Sequence, residues 1–370
     1  MYDNKRKLLG VLIIAALLFS FFTIYIYAKP KTSAKAAALY EPETNEFLYL
    51  KNADQRLPMA STTKIMTALL AVENLAPDKI VEISEESVGV EGSSLYLRVG
   101  ELISAENLIY ACLLQSANDA AAALAIEISG SIDAFASLMN ERALSLGLLN
   151  TNFMNPHGLD SDGHYTSARD LALLAAKALE NERFAEISSS YKRQIETSSG
   201  IKTVVNHNKL LKSFAGCIGV KTGYTKKSGR SLVSAAERDG LRLIAVTINA
   251  PDDWRDHKMM LEYGYSLLEK ETLSASGEYK YTLPVICGEK ETATVSNKEA
   301  LYLITKKDGS PFTVNVKLPK YLIAPKIAGD VVGEIEFIRD GVVVGTLPLT
   351  LDETIKEREK KDFIPFLDKS

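Results

Sequence analysis

The hydrophobic period changes along this chain, and that change limits its fold more than any other feature. Between residues 61 and 179 apolar side chains recur at three- and four-residue spacing. From 191 to 249 the spacing shortens toward two. Residues 36–40 and 47–50 read as a first hairpin. Helices are then expected from Ser61 to Pro77, over 102–114, 120–128 and 132–146, and from a cap at Thr166 or Ser167 through Leu179, with a short strand or turn at 95–99. Strands follow at 191–197, 201–205, 218–222, 231–237 and 241–249, the last two joined at Asp239-Gly240, and a helix at 252–270 closes the series. Strands first, helices next, then a late sheet and a final helix imply an α/β fold. It is an antiparallel sheet flanked by helices with a helical subdomain. Past Ser274-Ala275-Ser276-Gly277 only short strands and turns appear, so residues 278–351 read as a small all-β domain.

The ends carry different signals. Lys5-Arg6-Lys7 precedes an apolar run over 8–28, long enough to span a bilayer. Residues 1–7 are then cytoplasmic, 8–28 form a transmembrane anchor or signal segment, 29–36 a linker, and everything after is exported. Ala34-Lys35-Ala36 offers a cleavage site for the signal alternative. The tail, 352–370, is charged on both signs and too broken by Pro365 to make an amphipathic anchor. Net charge is −4, from 43 basic and 47 acidic residues, with no long basic run after the N-terminus, so nucleic acid is not an expected partner. Cys112, Cys217 and Cys287 are scattered, odd in number and without a C-x-x-C. They read as buried free thiols rather than a disulfide or zinc framework.

Ser61-Thr62-Thr63-Lys64 puts a hydroxyl and an amine on one helix face at a helix start, where backbone N–H groups lack internal partners. A nucleophile, a base and an oxyanion donor thus fall within four residues. The pattern is weak alone, since 189–192 and 199–202 fit Ser-x-x-Lys too, in polar strand-like surroundings. Ser116-Ala117-Asn118 and Lys221-Thr222-Gly223 follow it in order and add specificity. The loop 155–164 holds His157, His164, Asp160 and Asp162, but no His-Glu-x-x-His pair, so no metal is expected there.

With these motifs the chain resembles the D-alanyl-D-alanine carboxypeptidases, low-molecular-mass penicillin-binding proteins of serine peptidase family S11. The resemblance covers about 37–351 and extends to the residues around each motif, to His157-Gly158-Leu159 and to residues 163–170. It implies a β-lactamase/transpeptidase-like domain over 37–273 followed by the β domain, with no cofactor. It also implies roles. Ser61 would form an acyl-enzyme with a peptidoglycan stem peptide ending in D-Ala-D-Ala, or with a β-lactam antibiotic. Lys64 would be the base, kept neutral with help from Lys221, and Ser116 would relay the proton to the leaving amine. Asn118 would hold the substrate backbone, and Lys221 and Thr222 its terminal carboxylate. Gly223 would leave room for substrate along the strand edge, and the Tyr224 N–H would be the second oxyanion donor. His207 stands where some relatives have an arginine, which removes one expected carboxylate contact.

A class A β-lactamase shares the three motifs, but no Glu-x-x-x-Asn occurs between 119 and 220, so a slowly lost penicillin adduct is expected. A catalytically silent peptidoglycan or penicillin sensor is a second alternative, and a zinc D,D-peptidase a third. The expected location is the outer face of the bacterial cell membrane.

Overall fold

The computed structural model describes residues 29–307 and 309–359. The expected membrane segment over 8–28 and the tail from 360 lie outside them. The chain divides into two compact units between Leu267 and Leu268.

In the first unit β1 (Ala36–Glu41) and β2 (Glu46–Lys51) form the expected hairpin. A helix spans Lys64–Asn74, then come β3 (Ile80–Glu82) and β4 (Leu102–Ser104). Helices at Ala105–Tyr110, Asn118–Ser129, Ile132–Ser145, Ala168–Glu180 and Glu182–Ser189 follow. The unit ends with β5 (Lys192–Thr197), β6 (Gly200–Val205), β7 (Cys217–Thr225), β8 (Gly229–Arg238), β9 (Leu241–Ile248) and a helix at Asp253–Leu267. The main sheet is antiparallel in the order β2-β1-β9-β8-β7, which leaves β7 at an edge. Both its faces are covered. Ala38, Tyr40, Val233, Ile244 and Val246 face the large helical core, while Leu39 and Leu243 approach Gly264 of the last helix. Strands buried on both sides read as continuous apolar runs, as residues 241–248 do. Asp239 and Gly240 take φ of 51° and 75°, the left-handed pair a two-residue hairpin requires. A second sheet pairs β3, β4, β5 and β6.

Three expectations are corrected, and one helix is added. Residues 102–104 are strand because Leu102 and Ile103 pair with Glu82 and Val81, and Ser104 caps the helix behind them by accepting from Asn107 N at 3.2 Å. Residues 95–98 are irregular loop running into the turn at 99–100, the second of the two forms expected there. The helix Glu182–Ser189, for which the sequence reading assigned no element, is capped by Asn181 and buries Phe184 and Ile187. Residues 32–36 are not a free linker: Thr32 and Ala34 are buried, and Lys35 N donates to the Ile248 and Asn249 carbonyls. The last helix stops at Leu267, so the boundary falls before the expected 273, where β10 (Leu268–Ser274) begins.

In the second unit β10 pairs with β13 (Leu301–Lys306). The other sheet runs β14-β16-β17-β12-β11-β15, from β11 (Lys280–Ile286), β12 (Thr292–Ser296), β14 (Thr313–Lys317), β15 (Leu322–Ile323), β16 (Val331–Arg339) and β17 (Val342–Leu351). Val295, Ile335, Phe337 and Leu349 form its core. Part of the expected tail belongs to this unit, since Ile355 is buried and bridges Lys326. Of the cysteines only Cys112 is buried; Cys217 is half-buried and Cys287 exposed.

Candidate active site

Ser61 lies in a tight 3-10 turn, Ala60–Thr63, and Lys64 opens the α-helix after it. A continuous α-helix from Ser61 was expected; the tighter turn keeps residues three apart in line, so the same two side chains still meet. Ala60 holds a left-handed φ of 48°, which costs an L residue about 1–2 kcal/mol. Several contacts hold the turn in that shape. Thr62 Oγ1 donates to the Met59 carbonyl at 2.6 Å and Thr63 Oγ1 to that of Ala60 at 2.8 Å. Thr63 Oγ1 also meets His164 Nε2 at 2.8 Å, while His164 Nδ1 accepts from Met154 N. The loop suggestive of metal ligands is therefore a bracket for the Ser61 turn. Gly158 explains its glycine: a Cβ there, at φ +88°, would stand 2.0 Å from the Ala60 oxygen.

Lys64 is fully buried, and its Nζ donates to Ser61 Oγ at 3.0 Å, Asn118 Oδ1 at 2.6 Å and the His157 carbonyl at 2.6 Å. Among the described residues no carboxylate bonds it. Burial, and after it the Lys221 charge, lowers its pKa to about 7. The expected help from Lys221 is present, as the smaller of these two causes.

Ser116 ends a widened helical turn, Ala111–Gln115, that continues the helix Ala105–Tyr110. It takes the left-handed conformation at φ 60°, and Asn118 starts the next helix. Lys221 Nζ donates to Ser116 Oγ at 3.0 Å and to the Thr222 carbonyl at 2.9 Å. Burial lowers the Lys221 pKa to about 8. Asn118 is nearly buried, and its amide serves the protein at both ends: Oδ1 accepts from Lys64, and Nδ2 donates to the Glu91 carbonyl. One N–H and one lone pair remain for a substrate.

The three motifs converge on one cleft of about 330 Å³, lined among others by Ser61, Ser93, Ser116, His207, Thr222 and Tyr224. Gly223 is required by the protein before any substrate arrives. A Cβ there would come within 3.1 Å of the Ser61 and Thr62 nitrogens. Tyr224 is 66% exposed at the cleft. His207 is held by its neighbours: Asn206 Nδ2 donates to the Ser188 and Ser190 carbonyls, and Asn208 Nδ2 to that of Gly219. Burial and the Lys221 charge press His207 toward its neutral form. Sequence reasoning passed over Glu91, Ser93, Asn206 and Asn208 as site elements. Only the paired asparagines around His207 offered a local signal.

Comparisons with known proteins identify the family. The family profile described as D-alanyl-D-alanine carboxypeptidase matches residues 24–252, and that of the penicillin-binding protein 5 C-terminal domain matches 268–357. The D-alanyl-D-alanine carboxypeptidase DacF of Bacillus subtilis is 33% identical over 98% of this chain and 97% of its own length. DacC of Escherichia coli is 33% identical over 89% of this chain and 86% of its own. The crystal structure of penicillin-binding protein 5 from Haemophilus influenzae superposes with a TM-score of 0.65 at 28% identity, covering 89% of this chain and 99% of that one. The buried lysine beside Ser61, the edge strand carrying Lys221 and these matches lead to one conclusion: the chain belongs to the S11 serine peptidases, the D-alanyl-D-alanine carboxypeptidase family of penicillin-binding proteins.

Proposed function

We propose that Ser61 is the nucleophile and Lys64 the general base of this chain, a serine-type D-Ala-D-Ala carboxypeptidase that acts on peptidoglycan stem peptides. The observation that carries these roles is the contact of Lys64 Nζ with Ser61 Oγ at 3.0 Å in a burial that brings the lysine pKa to about 7. A neutral Lys64 takes the Ser61 proton as Oγ attacks the carbonyl between the two D-alanines. The backbone N–H groups of Ser61 and Tyr224 receive the oxyanion. As the C–N bond breaks, Ser116 relays the proton held by Lys64 to the departing amine, giving its own hydroxyl proton and taking that of Lys64 in exchange, so that Lys64 is neutral again for the hydrolytic step; Lys221 supports the Ser116 hydroxyl at 3.0 Å. D-Alanine leaves and the peptide stays as an ester on Ser61. Water then attacks that ester, and the shortened peptide is released. Asn118 holds Lys64 in line with Ser61 and offers its remaining N–H to the substrate backbone. A penicillin is attacked in the same way, but its leaving nitrogen stays tethered to the acyl group.

An intact-mass time course with benzylpenicillin tests this reading. A lasting adduct on Ser61, together with D-alanine release from a D-Ala-D-Ala peptide, is expected. Ser61→Ala should lose both while keeping its thermal midpoint nearly unchanged. D-alanine release by Ser61→Ala would refute the assignment.

We place the enzyme on the outer face of the cell membrane, held by residues 8–28 behind Lys5-Arg6-Lys7. Among the described residues no single helix is long and apolar enough to cross a membrane. Native protein whose mass corresponds to a start near Ala37 would replace the anchor with a cleaved signal.

A further inference from the structure

A substrate ending in a carboxylate needs a cation in the cleft, and the lysine expected to supply it is committed elsewhere. Lys221 Nζ is bonded to Ser116 and to the Thr222 carbonyl, and its side chain is 1% exposed. His207 is pressed toward neutrality. Arg230 differs on each count. It stands on β8 opposite Tyr224 and lines the same cleft as Ser61 and Thr222. Its Nε and Nη2 donate to the two oxygens of Asp253 at 3.1 and 2.9 Å, and Asp253 is buried. The Trp254 ring lies 5.7 Å from the guanidinium carbon. The fork is thus held in one orientation while the Arg230 side chain stays 44% exposed. Nη1 has no hydrogen-bond partner among the described residues. Lys209, the other cation lining the cleft, forms no ion pair among the described residues that would orient it as Asp253 orients Arg230.

We propose that Arg230, oriented by Asp253, is the residue that recognises the terminal carboxylate of the substrate. This rests on the carboxypeptidase reading of the Ser61 cleft. A guanidinium preset by a buried carboxylate loses little freedom on binding and offers its remaining N–H groups to an oxygen pair. It also makes the carboxylate a specificity element, because an uncharged chain end leaves those donors unmatched.

The test compares kcat/KM on one peptide ending in D-Ala-D-Ala with a free carboxylate and on the same peptide ending in an amide. Arg230→Gln should lower the value for the free carboxylate by about 10- to 100-fold, the effect of losing one charge-assisted hydrogen bond, and narrow the preference over the amide by the same factor. Arg230→Lys, which keeps the charge, should recover part of the loss, and it carries the test if the glutamine variant does not fold. Asp253→Asn should raise KM for the free carboxylate more than it lowers kcat. An equal fall on both peptides would make Arg230 a structural residue, and an unchanged preference, or one lost in Lys209→Gln instead, would also overturn the proposal. Wild-type protein that turns over neither peptide would defeat the carboxypeptidase reading and this inference with it. A wild type that does, beside an Arg230→Gln with intact preference, would defeat the inference alone.

Discussion

The cleft of the first unit and the sheet of the second treat lysine in opposite ways. Lys64 and Lys221 are buried, bonded to hydroxyls, an amide oxygen and carbonyls, and have pKa values pulled down to about 7 and 8. Lys317, on β14, lies in the open between Glu334 at 2.9 Å and Glu336 at 2.5 Å, and those carboxylates raise its pKa. Burial without a carboxylate makes a lysine a base near neutral pH. Pairing in water only keeps it charged. Backbone precision divides the units in the same way. Gly158 is hemmed in by the Ser61 turn, whereas Gly341, at φ +78°, has open space around it.

The largest expected effect follows from that second contrast. Gly158→Ala must displace the Ala60 carbonyl as well as strain its own backbone, and should cost about 3 kcal/mol or more while abolishing D-alanine release. Gly341→Ala carries only the backbone strain, about 1–2 kcal/mol, and should leave turnover intact. Denaturant titration and a D-alanine assay on both variants check this. Equal losses would erase the difference between the units.

The next effect is kinetic. Acylation by penicillin should rise with pH through about 7, as Lys64 becomes neutral. Lys221→Gln removes the second cause of that low value, so the rising limb should move to higher pH as well as falling in height. A limb that stays in place would show that burial alone tunes Lys64.

Stability should also depend on acid unevenly. All four histidines lie in the first unit. Burial holds His157 and His257 at pKa about 3 and His164 at about 4, below their ordinary value of 6.5. Between those values and 6.5 the unfolded chain binds more protons than the folded one, so stability falls as pH drops through that window. Hydrogen exchange at pH 7 and pH 5 should show protection lost in peptides of the first unit more than in residues 268–359. Uniform loss would mean that carboxylates, not these histidines, set the acid limit.

The cleft was legible in part. Ser61 with Lys64, Ser116 with Asn118 and Lys221 through Tyr224 are each short-range pairs whose spacing fixes their geometry once a helix start or strand is assumed. Asp239-Gly240 marked its hairpin for the same reason. What was not legible is long-range or made by the backbone. The His157 carbonyl on Lys64 and the Glu91 carbonyl on Asn118 have no side-chain signature. Asp119 was passed over, yet its carboxylate receives Ser94 Oγ and the Leu95 and Leu97 N–H groups, folding the loop that was read as a short strand or turn. The Arg230–Asp253 pair joins β8 to the start of a helix, and nothing local in either residue announces the other. The helix Glu182–Ser189 is too short for its period to stand out against the strands that follow.

The smallest effect is expected at Lys317. Lys317 makes two short ion pairs, yet its side chain and that of Glu334 are each about half exposed, 52% and 47%. Water already solvates both charges, and holding two long side chains together costs rotamer freedom that offsets the attraction. Lys317→Ala should therefore leave the thermal midpoint, D-alanine release and penicillin acylation unresolved from wild type at physiological salt, although it removes more ion pairs than any substitution at Lys64 would. Lys64→Ala breaks no ion pair among the described residues and should lose acylation altogether, because in the proposed mechanism its hydrogen bond to Ser61 Oγ is the route by which the nucleophile gives up its proton. A measurable loss of stability in Lys317→Ala would mean that the β14–β16 pairs act as a desolvated network, and the contrast between buried, neutralised lysines and solvated, paired ones would need redrawing.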